Sequence, residues 1–66
     1  MTIREQIIEA IRACATTEVQ IAARLGYTQR RVSLILECMS HDGELISEFE
    51  PFDRDPYDGV YRYALP

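Results

Sequence analysis

Lysine is missing from this chain: all seven cationic residues are arginine, set against eleven carboxylates. Tryptophan is missing too, and His41 is the only histidine. A His-containing metal cluster or a Cys–His catalytic pair would therefore rest on one residue. That residue falls at the end of a helical segment, where imidazoles commonly meet free carbonyls. Cys14 and Cys38 share no close spacing and sit on helical segments, so the pattern predicts buried thiols rather than a disulfide or a metal site. No apolar run approaches the ~18 residues needed to span a membrane, and MTIREQ lacks the charged-then-apolar layout of a signal peptide. The expected compartment is the cytoplasm. No glycine-rich phosphate loop occurs. The acidic stretch around Asp53, Asp55 and Asp58 lacks calcium-loop spacing and is interrupted by Pro56. The expectation is a protein with no cofactor, no metal and no enzymatic activity.

What remains is one small domain, residues 1–66, near the lower size limit for a self-sufficient core. Stability is marginal at that size, which favours a homodimer. Charge is unevenly spread along the chain. Residues 1–36 hold five Arg against three Glu, a surplus of two positive charges. Residues 37–66 hold two Arg against eight acids, a surplus of six negative charges, which together yields the net −4. Phosphate neutralisation supplies most of a DNA binder's affinity, so a net negative chain weighs against any nucleic-acid reading.

Thr16 to Met39, TTEVQIAARLGYTQRRVSLILECM, organises the rest. It reads as two short helices, about 18–25 and 29–41, joined by a tight Leu25-Gly26-Tyr27 turn. Thr17 stands three residues before Gln20, the spacing of a capping box. Thr28 opens the next helix as an N-cap without a box partner. Gly26 suits the residue after a helix end, where positive φ is common. Ahead of this unit, Thr2 to Ala15 reads as a helix with Ile3, Ile7, Ala10, Ile11 and Cys14 on its core face. Ile8, at the edge of that face, either widens the core or lies in a dimer contact.

In the third helix, Val32, Ile35, Leu36 and Met39 form the core face. Arg30, Leu34, Glu37 and His41 lie opposite, with Gln29 and Ser33 on one flank and Arg31 and Cys38 on the other. A core helix would not align Arg, Glu and His, and a plain solvated face would rarely include Leu34, so the stripe reads as a contact surface. LISEFE (45–50) and VYRYAL (60–65) then alternate as strands, and PFDRDPYDG between them carries loop chemistry. Thr16-Thr17 reads as a turn with the makings of a short edge strand. The expected class is α+β.

This order, with IAARLGYTQRRVSLILECMSHDGELI followed by YRYAL, resembles the winged helix-turn-helix domains of small bacterial and phage regulators over nearly the whole chain. The resemblance implies a cytoplasmic, homodimeric transcription regulator of phage or plasmid type. It would read double-stranded DNA, a short operator, with helix three in the major groove. On that reading Gln29, Arg30, Ser33 and Glu37 contact bases, Leu34 meets a thymine methyl, and Arg24, Thr28, Arg31 and Arg54 contact phosphate. The wing departs from the family, because Arg54 stands among Asp53, Asp55 and Asp58. An acidic wing either stays clear of DNA or binds a protein partner with a basic surface, for which it mimics DNA. Leu34, Phe52, Asp53, Asp55, Tyr57 and Asp58 would carry that contact. Phe52 and Tyr57 either anchor it or fold back onto the core.

Overall fold

The computed structural model describes residues 1–53 and 55–66, the side chains of Asp55 and Pro56 excepted. Three helices, α1 (Ile3–Arg12), α2 (Glu18–Leu25) and α3 (Gln29–His41), precede a two-stranded antiparallel hairpin, β1 (Ile46–Phe52) and β2 (Asp55–Ala64). The class is α+β.

Each helix starts on a threonine. Thr2 and Glu5 form a capping box at α1 that sequence reasoning overlooked. Thr17 and Gln20 form the expected one at α2, where the Gln20 carboxamide oxygen accepts from the N–H groups of both Thr16 and Thr17. Thr28 Oγ1 accepts from the Arg31 N–H at 3.3 Å. Gly26 closes α2 in the left-handed region at φ 75°, donating to Ala22 O at 2.9 Å.

Helix α1 ends three residues earlier than its periodicity predicts. The Cys14 N–H bonds to Ile11 O and the Ala15 N–H to Ala10 O, each at 3.0 Å, the paired bonds of a Schellman turn. Cys14 itself takes the left-handed position at φ 71°. That conformation costs a non-glycine residue about 1–2 kcal/mol. The turn swings Cys14 off the core face into solvent and brings Ala15 inward, 8% exposed. Both cysteines are exposed and free, which corrects the expectation of buried thiols.

The core consists of Ile7, Ala10 and Ile11 from α1, Ala15, Ile21 and Ala22 from α2 and its approach, Val32, Leu36 and Met39 from α3, and Leu45. Ile8 and Ile35 are half-buried against it, so Ile8 widens the core. Arg4 forms ion pairs with Asp42 and Glu44, tying the start of α1 to the end of α3. These two acids hold the guanidinium proton more firmly than usual, through the Asp42 hydrogen bond first and the Glu44 charge second.

The hairpin is longer and its turn tighter than the loop chemistry of 51–59 predicts. Cross-strand pairing runs from Ile46↔Ala64 through Glu50↔Val60 to Pro51↔Gly59, with an irregularity before Phe52↔Asp55. Gly59 permits this, because a Cβ there would lie 2.2 Å from Glu50 O. Backbone pairing therefore overrides local loop propensity. Every residue of β1 is exposed, and the hairpin stands out from a molecule measuring 40 × 24 × 20 Å. Its base is held by Tyr63 and Leu65 against the core, and by the segment before α2. There the Tyr63 N–H donates to Thr16 O at 2.8 Å, Thr17 bridges Arg62, and the Arg62 guanidinium reaches Thr16 Oγ1 and Glu50.

Candidate nucleic-acid interface

The outer face of α3 is built by its cap and its buried side. Val32, Leu36 and Met39 are fully buried, which fixes the helix rotation and turns Gln29, Arg30, Leu34, Glu37 and His41 outward. Leu34 is 58% exposed, a large apolar side chain in the middle of a polar stripe. At the first turn, Thr28 takes up the Arg31 N–H. The Gln29 and Arg30 N–H groups remain among the donors that a helix start leaves without an intrahelical partner. Together with the positive end of the helix dipole they favour an anion there.

The flanks of this face differ in sign. On the α1 side, the Arg31 guanidinium lies 5.0 Å from the centroid of the Tyr27 ring. The Tyr27 hydroxyl donates to Gln6 Oε1 at 2.9 Å, so the ring is anchored to α1 and the arginine rests on a fixed platform. Tyr27 and Arg31 are four residues apart across the turn, a spacing legible in sequence that the reading above did not use. Arg24 is exposed and opens onto a hollow of about 290 Å³ with Gln6, Glu9 and Leu25. Both cations of the helix-turn-helix stretch that were assigned to phosphate thus sit on the flank away from the hairpin.

Toward the hairpin the surface is acidic. Ser33, Glu37 and Ser40 of α3 face Ser47 of β1 and Tyr61 and Tyr63 of β2 across a cleft of about 370 Å³, with Glu18 of α2 at its side. A second hollow of about 340 Å³ continues it, walled by Thr17, Glu18, Val19, Gln29, Gly59, Val60 and Tyr61. Tyr63 loses its proton less readily than an ordinary tyrosine, because of its burial first and then the charges of Glu18, Tyr61 and Glu37. Among the described residues neither Glu18 nor Glu37 has a salt bridge. Of the four base readers expected from sequence, Gln29 and Arg30 stand at the exposed first turn. Ser33 and Glu37 line the cleft.

At the hairpin end, Phe52 is 53% exposed and Tyr57 94% exposed, so neither folds onto the core. Asp53 and Asp58 are exposed, and Asp58 Oδ1 accepts from the Gly59 N–H at 3.0 Å. Arg54, the expected phosphate contact on the wing, lies outside the described residues, as does the side chain of Asp55. The remaining hairpin arginine, Arg62, is engaged by Glu50 and Thr16. Phe49 and Tyr61 pair across the strands edge to face, ring centroids 5.2 Å apart. Among the described residues no three His, Cys, Asp or Glu side chains gather closely enough to hold a metal ion, and no helix is long and apolar enough to cross a membrane. No family model, curated protein or solved structure matches the chain.

Proposed function

We propose that this chain is a winged helix-turn-helix module that binds duplex DNA as a homodimeric transcription regulator, with a contact confined to the start of α3. The observation that carries this reading is the first turn of α3. It presents Gln29 and Arg30 in solvent at a capped helix start, with Arg31 braced on Tyr27 beside them. Arginine paired to guanine and glutamine to adenine in the major groove are the contacts these side chains can make. Leu34, one turn on and exposed, would meet a thymine methyl on this reading. Arg24, Arg31 and the Thr28 end of the helix supply phosphate contacts on the α1 flank.

The hairpin takes no part in phosphate binding on this reading. Glu48, Glu50, Asp53 and Asp58 are exposed on it, and Glu18 and Glu37 lie in the cleft at its base, so a phosphate approaching from that flank is repelled. The expected footprint is short and the salt dependence shallow. Selection from a random duplex library at low salt tests the reading. Enrichment of a common short motif, with Arg30→Ala and Arg31→Ala both weakening the bound duplexes, supports it, and a selection that enriches nothing ends it.

A second reading draws on the exposed aromatics of the hairpin end. Phe52 and Tyr57 stand in solvent next to Asp53 and Asp58, a combination suited to a protein partner with a basic surface. Replacing Asp53, Asp55 and Asp58 by Asn leaves the fold intact and abolishes such a complex. Retention of the complex removes this reading.

A further inference from the structure

We propose that the open edge of β1, centred on Ser47 and Phe49, takes up an extended segment of a partner protein as an added strand, one that carries cationic residues at alternate positions. This edge lies apart from the DNA-reading turn of α3 and from the hairpin end around Phe52 and Asp58, so it stands or falls without either reading.

The two strands leave free edges that differ. That of β2 is covered at its base, where Thr17 bridges Arg62 and the Tyr63 N–H donates to Thr16 O at 2.8 Å. That of β1 pairs with no other strand among the described residues. The Tyr63 bond also fixes which groups of β1 face outward. In an antiparallel ladder, opposed residues alternate between pairs that exchange both N–H···O bonds and pairs that exchange none. Tyr63 spends its N–H away from β1, so Ser47 opposite it turns its own N–H and C=O to the open edge. Phe49, opposite Tyr61, does the same. Pro51, next in the series, agrees with this parity, because proline fits a strand only where its nitrogen faces away from the ladder. Two donors and two acceptors thus stand in register for an incoming strand, and Pro51 ends the row of donors.

Side chains then select the occupant. Glu48 and Glu50 share one face of β1, and Phe49, 41% exposed, stands on the other against Tyr61. Arg62 engages Glu50, and Glu48 has no salt bridge among the described residues. A second copy of this chain fits badly. Antiparallel registers of β1 against itself centred on Glu48, Phe49 or Glu50 each set carboxylate opposite carboxylate, which is destabilising. A cation opposite Glu48 reverses that sign. On the open side Glu48 falls at a pair without backbone bonds, where opposed side chains come closest. An aliphatic residue next to that cation lies opposite Phe49 and covers its ring.

The test titrates isotope-labelled protein with N-acetyl-Arg-Val-Arg-Thr-Val amide. Its controls are the same peptide N-methylated at the first valine and the threonine, and one with glutamate in place of both arginines. The expected result is saturable downfield shifts of the Ser47 and Phe49 amide protons with slowed solvent exchange, as new backbone bonds form. N-Methylation removes two of those bonds and should weaken binding about tenfold or more. The glutamate peptide should not bind, and Glu48→Gln should weaken the parent peptide about two- to fivefold. Ser47→Pro removes one outward N–H without touching the ladder to β2 and should abolish binding. Retained amide dispersion in that variant, and in Glu48→Gln, reports that the hairpin survives. Equal binding by the N-methylated peptide, shifts centred on Asp53 and Asp58 instead, or no saturation at millimolar peptide overturns the proposal. Shifts of Ser47 and Phe49 that grow with protein concentration alone overturn it as well, because a second copy then occupies the edge.

Discussion

Gly26 holds the turn between α2 and α3, and its replacement separates backbone strain from packing. A Cβ built at Gly26 meets nothing within 4 Å, so Gly26→Ala creates no clash. The whole effect comes from the backbone, held at φ 75°. Left-handed geometry costs an L-residue about 1–2 kcal/mol. Alanine also narrows the unfolded ensemble, which returns about 0.4–1 kcal/mol. The net is a destabilisation of about 1 kcal/mol, or a fall in Tm of about 4–8 °C for a domain this size. At 66 residues the chain is within reach of chemical synthesis, so D-alanine can be placed at the same position. D-Alanine accepts positive φ without strain and keeps the unfolded-state benefit, so Tm should rise by a few degrees instead of falling. Thermal unfolding followed by circular dichroism reads both. If the L- and D-alanine proteins shift Tm in the same direction, the left-handed assignment at Gly26 is wrong, and with it the geometry that presents α3.

Three further outcomes follow from burial and charge. Leu36→Ala removes a fully buried side chain from the centre of α3 and should cost about 2–5 kcal/mol. Total stability for this length is only about 3–10 kcal/mol, so the variant should be largely unfolded on warming. Leu34→Ala, two residues away but 58% exposed, should stay within about 0.5 kcal/mol of the parent in urea unfolding. Tyr63 should titrate above the ordinary tyrosine range, because burial and the neighbouring charges disfavour its phenolate. Since its folded pKa exceeds the unfolded one, its contribution to stability is complete below the ordinary tyrosine pKa and is lost as pH rises through the folded value. Ultraviolet titration of parent against Tyr63→Phe isolates this group, and the Phe variant should lose less stability across that alkaline window. A Tyr63 step at the ordinary position would contradict its burial beside Glu18 and Glu37.

The parts of the fold legible in sequence are those that local chemistry specifies. Thr17 with Gln20, Gly26 and Thr28 place the helix-turn-helix stretch to the residue, because caps and left-handed turns depend on neighbours a few positions away. The end of α1 was hidden because a cysteine, not a glycine, occupies the left-handed position, and periodicity alone carries the helix through it. The hairpin limits were hidden for the opposite reason. Pro51, Asp53, Pro56 and Gly59 read as loop, yet the register brings Pro51 opposite Gly59 and pairing continues to Phe52. At the site, the exposure of Gln29, Arg30 and Leu34 follows from helical spacing. The acidic cleft does not, because it depends on the bond from Tyr63 to Thr16 across 47 positions of chain, which brings β2 beside Glu18.

The central claim, DNA binding restricted to the start of α3, is tested most directly by the salt dependence of duplex affinity. With Arg24 and Arg31 as the phosphate cations, log K should fall against log salt with a slope of about −1.8 per protomer. Arg31→Ala should reduce that slope by about 0.9, whereas Arg30→Ala should lower affinity for the preferred motif with little change in slope. A steep slope unaffected by Arg31→Ala, or binding indifferent to both substitutions, would contradict the account and move the DNA contact, if there is one, away from α3.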